Sequence, residues 1–271
     1  MTAVAPATVT IGTSGFSFDD WVGTFYPEQT RKAEMLAFYA TRFSAVEINS
    51  TYYGIPPAKT MAGLVERTPD DFEFMVKAHR SMTHEAADPD EAVWRSFDDC
   101  LAPLVDAGKF RGLLLQFPWA FRPDRAGRRR LDLLHERLSA RGPLFVEFRH
   151  TSWMDDRVFR YLDQRGIGYC SVDEPPLPGL VPPVVRLTGS IAYVRFHGRN
   201  ERTWWTRGGG DRYDYDYSPA ELETWVRKIR ELAERSRQVY VFFNNCHAGQ
   251  AARNALLMRD LVQRDFLGKV R

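Results

Sequence analysis

The stretch Val146-Glu147-Phe148-Arg149 decides the fold of this chain, because its charged residues alternate with apolar ones at the downstream end of an apolar run. Successive side chains of a β-strand point to opposite faces, so Glu147 and Arg149 share one face. Four further stretches have a similar layout: Val46-Glu47-Ile48-Asn49, Val76-Lys77-Ala78-His79, Cys170-Ser171-Val172-Asp173 and Val194-Arg195-Phe196-His197. Together they predict parallel strands that bring polar side chains to one common mouth.

Apolar runs and amphipathic stretches alternate along the whole chain. Strand-like runs lie near residues 8–12, 44–49, 72–78, 111–117, 143–149, 168–173, 190–197 and 238–244. Helical spacing is found in residues 30–42, 58–67, 89–107, 124–141, 218–236 and 249–263. Eight strands with intervening helices predict an α/β fold, a parallel eight-stranded (β/α)8 barrel like that of TIM, formed as a single domain by residues 1–271. A doubly wound open sheet is the alternative, but no glycine-rich phosphate fingerprint follows the first strand.

Two connections depart from the regular pattern. Residues 174–189 contain five prolines, which predict an irregular crossover between the sixth and seventh strands, with a short strand at 184–187. Residues 198–217 form a long loop with Trp204-Trp205, three glycines at 208–210 and the tyrosine-rich run 213–217. This loop is either a lid over the mouth or a surface flap whose tryptophans pack on the rim.

Composition and charge exclude several classes of protein. Hydrophobic residues make up 44% and charged residues 27%, so disorder is not expected, and a net charge of +2 predicts no general polyanion-binding surface. The three cysteines lack CxxC spacing, which argues against a disulfide framework or a zinc finger. No leader-like or membrane-spanning apolar segment is present, so we expect a soluble cytoplasmic protein.

Several motifs resemble those of the DUF72 family, the YecE-like proteins. They are Gly12-Thr13-Ser14-Gly15-Phe16, Val46-Glu47-Ile48-Asn49-Ser50-Thr51-Tyr52-Tyr53, Gln116-Phe117-Pro118, Val146-Glu147-Phe148-Arg149-His150-Thr151-Ser152-Trp153, Tyr193-Val194-Arg195-Phe196-His197-Gly198-Arg199 and Phe243-Asn244-Asn245. The resemblance extends from about residue 9 to 258. It implies a TIM-barrel-like fold and leaves the biochemical activity to be argued from the residues themselves.

The strand ends and the loops beyond them supply the candidate site. The expected catalytic groups are His79, His197, Glu47, Glu147 and Asp173. The expected substrate-binding groups are Lys77, Arg149, Arg195, Arg199, Asn49, Tyr52, Tyr53, Gln116, Trp153, Asn244, Trp21 and Trp204.

The leading hypothesis for this set is an enzyme that acts on a phosphorylated or otherwise anionic substrate, such as a phosphoester or a nucleic-acid phosphodiester. The fork of an arginine suits phosphate or carboxylate, and aromatic faces can stack on a base or a sugar ring. A histidine, His79 or His197, would act as general acid or base, and Glu47 or Glu147 would orient it or activate water. The expected partner is a small anionic substrate or a nucleic acid.

Three alternatives remain open. A glycoside hydrolase would use two of Glu47, Glu147 and Asp173, although Arg149 beside Glu147 disfavours that carboxyl as an acid. A non-catalytic module would bind nucleic acid or a sugar phosphate at the same place. In the third alternative, which is purely structural, the charged side chains only neutralise one another and close one end of the barrel.

No cofactor is predicted, and a divalent metal is a weaker possibility. Glu147, His150, Asp173 and His197 are suitable ligand types, but no HxH or HExxH spacing is present, and the neighbouring arginines would repel a cation.

Overall fold

Eight parallel strands form a closed barrel in the computed structural model, which describes residues 7–206, 210–265 and 269–271. Each strand pairs with the next in the sequence, and the first and last strands pair to close the ring. The strands are β1 (Thr8–Ser14), β2 (Ala45–Ile48), β3 (Glu73–Lys77), β4 (Phe110–Gln116), β5 (Leu144–Glu147), β6 (Gly168–Asp173), β7 (Ile191–Phe196) and β8 (Gln238–Phe243).

Helices connect most of the strands. Over the described residues, the α-helices are α1 (Lys32–Ala40), α2 (Ser50–Tyr53), α3 (Ala58–Glu66), α4 (Arg80–Thr83), α5 (Glu91–Asp106), α6 (Arg125–Leu138), α7 (Asp156–Gln164), α8 (Pro219–Ala233) and α9 (Gln250–Asp265). Side chains cap the first turns of several of these helices. At the start of α8, for example, Ser218 and Glu221 form a reciprocal capping box. No helix in these described ranges is long and apolar enough to cross a membrane.

The predicted (β/α)8 architecture is confirmed, and each predicted strand overlaps an observed one. The proline-rich crossover between β6 and β7 is irregular as predicted, but the short strand expected at 184–187 is wrong, because these described residues belong to no strand. Helix α7 was not predicted. It is only nine residues long, and the Asp155 side chain caps it by accepting a hydrogen bond from the Arg157 N–H.

The interior of the barrel is filled with side chains below its mouth. Tyr193 lies at its centre, with its ring centroid 4.9 Å from that of Phe145 and 5.5 Å from that of Phe242. All three side chains are buried. An eight-stranded barrel is just wide enough for such packing, so the interior is a core and any ligand must bind at an end.

Gly12 allows β1 and β2 to approach each other closely. A Cβ atom at this position would lie 2.4 Å from the carbonyl oxygen of Ala45 and 3.2 Å from the ring of Phe242. The obstructing oxygen belongs to the backbone of β2, so a larger residue would require the barrel wall itself to move.

We predict that Gly12→Ala destabilises the fold by about 1–3 kcal/mol, because overpacking a close-packed core has that cost. Urea-induced unfolding measures the effect. Gly54→Ala is the matched control: nothing lies within 4 Å of the added methyl group, so its effect should stay within about 0.5 kcal/mol. Equal stability of the two variants would contradict the assigned closeness of β1 and β2.

Candidate active site at the mouth of the barrel

Arg195 lies at the centre of the barrel mouth and binds two carboxylates. Its Nη2 is 2.7 Å from Oε1 of Glu47, and its Nη1 is 2.6 Å from Oε2 of Glu147. Ser14 accepts a further hydrogen bond from Nη2, and the hydroxyl of Tyr193 donates to the second oxygen of Glu47. The three charged side chains are almost completely buried, so Arg195 links β7 to both β2 and β5 across the barrel.

Arg149 forms a second layer of charge above Arg195. Its Nε lies 2.6 Å from Oε1 of Glu147, too far off the N–H direction for a regular hydrogen bond, and its Nη1 donates to Glu174 at 2.9 Å. Burial alone would raise the pKa of the Glu147 carboxyl, but Arg149 and Arg195 outweigh it and hold that pKa well below its usual range. Glu147 is therefore a permanent anion at neutral pH.

Glu174 behaves differently from Glu147, although both are buried beside Arg149. Burial raises the pKa of Glu174 to about 7, with Arg149 opposing the shift and Glu147 adding to it. Its Oε1 also accepts a hydrogen bond from the Val181 N–H in the irregular crossover. Glu174 consequently holds the crossover against the mouth and exchanges a proton near neutral pH.

His197 is fixed as a neutral imidazole. Its Nδ1 lies 3.1 Å from the amide nitrogen of Asn244 and 3.5 Å from Nη2 of Arg149, and both of these groups can only donate. Nδ1 is therefore the acceptor, and the proton is on Nε2, which lies 3.2 Å from Oε1 of Glu147. The pKa of His197 is lowered to about 3, mainly because the ring is buried and secondly because of the positive charge of Arg149. The ring is thus a poor proton carrier at neutral pH.

Lys77 lies at the end of β3 and faces the cavity above this charged cluster. Its Nζ donates a 2.8 Å hydrogen bond to Oε1 of Gln116 and lies 4.1 Å from the ring centre of Tyr52. No carboxylate forms an ion pair with Lys77 in the described part of the chain. The pKa of Lys77 is lowered to about 7, mainly because the amine is buried and secondly because Arg195 is nearby.

A cavity of about 620 Å³ lies at this end of the barrel. Its lining combines cationic and aromatic side chains: Tyr52, Tyr53, Lys77, His84, Gln116, Pro118, Trp119, Arg149, Leu180, Trp204, Trp205, Arg212 and Tyr213. The Arg149 guanidinium lies 5.8 Å from the ring of the buried Trp204, whereas Trp205 and Tyr53 are exposed at the rim. A small molecule with both a negative charge and a ring fits this lining.

The loop after β7 contributes directly to the cavity through Trp204, Trp205, Arg212 and Tyr213. Its predicted tryptophan pair is therefore divided, with one ring buried over Arg149 and the other at the rim. Two glycines of the predicted hinge, Gly208 and Gly209, lie outside the described residues.

The structure brings many of the predicted site residues together but places Asp173 on the outside of the barrel. The Sγ of Cys170 is 3.9 Å from Glu147, so the Cys170 face of β6 is the inner one, and Asp173 is on the other face. Its carboxylate accepts hydrogen bonds from Arg199, Tyr217 and Trp225. The expectation that Asp173 and Arg199 face the mouth is therefore corrected: they fasten α8 to the barrel wall.

Four other predicted residues also lie away from the cavity. Trp21 is buried and donates to the carbonyl oxygen of Cys246, and Trp153 is buried against Phe148 and Phe121. His79 caps α4 through Ser81. Asn49 does not line the cavity either, and its Oδ1 is buried with no hydrogen-bond partner among the described residues.

Glu174 and Trp119 belong to the site, although neither was predicted to belong to it. Glu174 follows Asp173 directly and shares the inward face of Gly168 and Cys170, but alternation alone does not tell which face of the strand is the inner one. Trp119 comes from the loop after β4, where strand periodicity gives no signal. His84 lines the cavity as well. Its pKa is lowered to about 4, mainly because the ring is partly buried and secondly because of the positive charge of Lys77.

The histidine and carboxylate side chains are not arranged as a metal site. Among the described residues, no group of three or more His, Cys, Asp or Glu side chains could hold a metal ion. Of the ligands considered from the sequence, Asp173 faces α8 and His150 binds Ser152, while Glu147 and His197 contact arginines.

We predict that Arg195→Met lowers the free energy of unfolding by about 3–5 kcal/mol, because it leaves Glu47 buried without a counter-charge and leaves Glu147 with Arg149 alone. Urea titration measures the loss. The exposed pair of Arg137 and Glu91 provides the control, since Arg137→Met should cost less than about 1 kcal/mol. A similar small loss in both variants would contradict the role of Arg195 as the central ion-pair partner.

His197 should make the protein less stable as the pH falls. Between its ordinary pKa of 6.5 and about 3, the unfolded chain binds a proton at this residue and the folded chain does not. The free energy of unfolding therefore decreases on acidification by up to about 1.4 kcal/mol per pH unit from this group. Urea titrations at about pH 7 and about pH 5 should show a smaller decrease for His197→Gln than for the unchanged protein. The surface variant His135→Gln should retain the full decrease, and identical pH dependence of all three proteins would rule the assignment out.

Comparison with known proteins places the chain in a family. Residues 10–269 match the family model described as Protein of unknown function DUF72. The UPF0759 protein YunF of Bacillus subtilis is 32% identical over 274 residues, covering 95% of this chain and 96% of that protein. The UPF0759 protein YecE of Escherichia coli K12 is 30% identical over 194 residues, covering 61% of this chain and 67% of that protein.

Solved structures support the same conclusion. A DUF72 family protein from Thermotoga maritima superimposes with a TM-score of 0.87 at 40% identity, covering 94% of this chain and 99% of the other. One from Enterococcus faecalis gives a TM-score of 0.83 at 26% identity, with 94% and 95% coverage. Fold, motifs and sequence agree over nearly the whole chain, which therefore belongs to the DUF72 family of proteins of unknown function.

Proposed function

We propose that this protein is an enzyme that binds a small anionic, ring-containing substrate, such as a sugar phosphate or a nucleotide, at the carboxyl end of its barrel. The observation that carries the proposal is the lining of the mouth cavity, which has cations at its base and aromatic rings around its wall. Its volume of about 620 Å³ lies within the usual range for small-molecule sites.

The charge of the mouth leaves room for an anion. Arg195 is enclosed between Glu47 and Glu147, so its charge is used within the protein. Arg149 balances the second of these carboxylates, Glu147, while its other partner, Glu174, has a pKa of about 7 and is partly protonated at neutral pH. The ammonium form of Lys77 therefore offers positive charge, and the Arg149 guanidinium offers N–H donors, to a phosphate or carboxylate in the cavity.

The aromatic wall suits a planar or sugar ring. Tyr52 and Tyr53 are in edge contact with ring centroids 5.0 Å apart, and Trp119 lies 5.7 Å from Trp205 across the cavity rim. Exposed rings of this kind can cover a base or the apolar face of a sugar. Aromatic burial would supply much of the binding energy, and the cations would select a charged ligand.

Acid–base chemistry would come from groups that line the cavity rather than from His197 or His79. His84 is neutral at physiological pH and faces the ligand space beside Tyr52, with ring centroids 4.9 Å apart. Lys77 also lines the cavity, and it exchanges a proton near pH 7, the range in which a general acid or base is most effective; Glu174, buried behind Arg149, does so as well. Phosphoester cleavage, including that of a nucleic-acid phosphodiester, is one reaction that these groups would support.

Glycoside hydrolysis fits the geometry less well. Both Glu47 and Glu147 bind Arg195 and neither lines the cavity, while Asp173 lies outside the barrel. A carboxyl pair free to flank a glycosidic bond would have to come from elsewhere.

The proposal predicts preferential binding of phosphorylated ligands. In isothermal titration calorimetry, AMP and ribose 5-phosphate should bind more tightly than the uncharged adenosine or cellobiose. Lys77→Gln should weaken AMP binding by about 10- to 100-fold, equivalent to about 1.4–2.7 kcal/mol, as expected for a hydrogen bond to a charged group. Lys59→Gln, which removes an exposed lysine on α3, should leave the affinity unchanged.

Catalysis is tested separately from binding. Release of phosphate from bound phosphoesters should be lost in His84→Gln while AMP affinity is retained. Tight binding without turnover in the unchanged protein would indicate a binding module. Preferential binding of the neutral disaccharide, insensitive to Lys77→Gln, would contradict the anion site itself.

A further inference from the structure

Lysine is rare in this chain, and its six lysines have very different environments. They are Lys32, Lys59, Lys77, Lys109, Lys228 and Lys269. Among these described residues, Lys77 alone lines the cavity at the mouth of the barrel. Lys32, Lys59 and Lys269 are exposed, and Lys228 packs on the outer surface against Trp225.

Lys109 shows how this fold holds a purely structural buried lysine. Its Nζ donates to the carbonyl oxygens of Val65 and Thr68 and to the Thr68 hydroxyl, which uses all three of its protons. Lys77 has one hydrogen-bond acceptor among the described residues, the Gln116 side chain, and that acceptor is neutral. The amine of Lys77 is therefore held by a single neutral hydrogen bond, and the residue lines the cavity.

The surroundings of Lys77 disfavour its charged form. Desolvation is the main cause, and the positive charges of Arg195 and Arg149 add to it, while Glu147 and Glu47 oppose it. At neutral pH a substantial fraction of Lys77 is consequently the free amine, which is the nucleophilic form. Arg149 lines the same cavity, so one cation could both suppress protonation of the amine and hold the anionic end of a substrate.

We propose that Lys77 is a covalent nucleophile that forms an imine with the carbonyl group of an anionic aldehyde or ketone held at the cavity cations. This inference rests on the proposed anion-binding function and narrows its substrate class to small molecules that carry both a carbonyl group and a phosphate or carboxylate. It assigns the chemistry to the juxtaposition of a singly bonded amine, a fixed guanidinium and a covering tyrosine ring in one cavity.

The chemical step needs no oxidant or reductant. The lone pair of Nζ attacks the carbonyl carbon, a C–N bond forms, and the carbonyl oxygen receives a proton from the nitrogen to give a carbinolamine. The second amine proton and the hydroxyl group then leave as water, and the C=N bond of the imine replaces the C=O bond. Addition of borohydride delivers a hydride to the imine carbon and makes the linkage permanent.

The experiment compares three related probes on the full-length protein. Pyridoxal 5′-phosphate carries ring, phosphate and aldehyde; pyridoxine 5′-phosphate lacks the aldehyde; pyridoxal lacks the phosphate. After borohydride reduction and peptide mapping, Lys77 should be labelled by pyridoxal 5′-phosphate at least about ten times faster than Lys59, and pyridoxal should label it more slowly. Glyceraldehyde 3-phosphate and pyruvate, tested in the same way, distinguish phosphorylated aldehydes from 2-oxo acids as substrates.

The pH profile separates a nucleophile from a simple cation. Charged or titratable groups that influence Lys77 from the surrounding elements are Arg195, Arg149, Glu147, Glu47, Tyr52 and His84. With these in place, labelling of Lys77 should increase with pH and level off above about 7, whereas labelling of free lysine in solution should still be rising there.

Matched variants make the outcomes distinct. Lys77→Arg keeps a cation but has no nucleophilic amine, so it should retain affinity for pyridoxine 5′-phosphate and lose the label. Lys59→Arg should change neither, and thermal midpoints check that both variants fold. Binding of pyridoxine 5′-phosphate without selective labelling of Lys77 would overturn the imine and leave the anion site intact. Failure of all phosphorylated probes to bind would overturn both proposals.

Discussion

The ion-pair cluster around Arg195 is the constraint on which the mouth of this barrel depends. One guanidinium joins carboxylates from two different strands, Glu47 and Glu147, in a space without access to water. Removing charges from water is costly, and this arrangement offsets the cost only because each partner is held at hydrogen-bond distance. The cluster therefore fixes β2, β5 and β7 relative to one another. It also forms the rigid floor on which Arg149 and the cavity above it are built.

The contacts and pKa values of the charged residues change with their height above this floor. The deepest charges, Glu47, Glu147 and Arg195, leave one excess negative charge that Arg149 balances from above, and none of the three lines the cavity. The next layer, with Glu174 and Lys77, contains groups whose pKa values burial has moved to about 7. Such shifts concentrate at functional sites, although structural ion pairs also produce them. The agreement between these shifts and the position of Lys77 in the cavity lining is what favours chemistry over a closed plug.

The outside of the barrel uses similar residue types for a different purpose. Asp173 accepts hydrogen bonds from Arg199, Tyr217 and Trp225, and so it joins β6 to α8 and to the end of the loop that follows β7. Because that loop also carries Trp204 and Tyr213 into the cavity lining, its outer attachment positions the cavity wall. Neighbouring polar residues of one strand can therefore be divided between the mouth of the barrel and its outer scaffold by the direction in which each side chain faces.

Local sequence determined the strands, because alternation of polar and apolar residues reports directly on a half-buried extended chain, and it located the polar ends of β2, β3, β5 and β7 at one mouth. It could not determine that β6 presents Glu174 rather than Asp173 to the interior, since both residues are polar neighbours and only the barrel register distinguishes them. It could not distinguish the buried structural role of Arg195 from the ligand-facing position of Lys77 either. That difference arises from the depth of each side chain in the closed barrel and from which carboxylates other strands bring to it. Both are properties of contacts between residues far apart in sequence, so only the tertiary structure decided them.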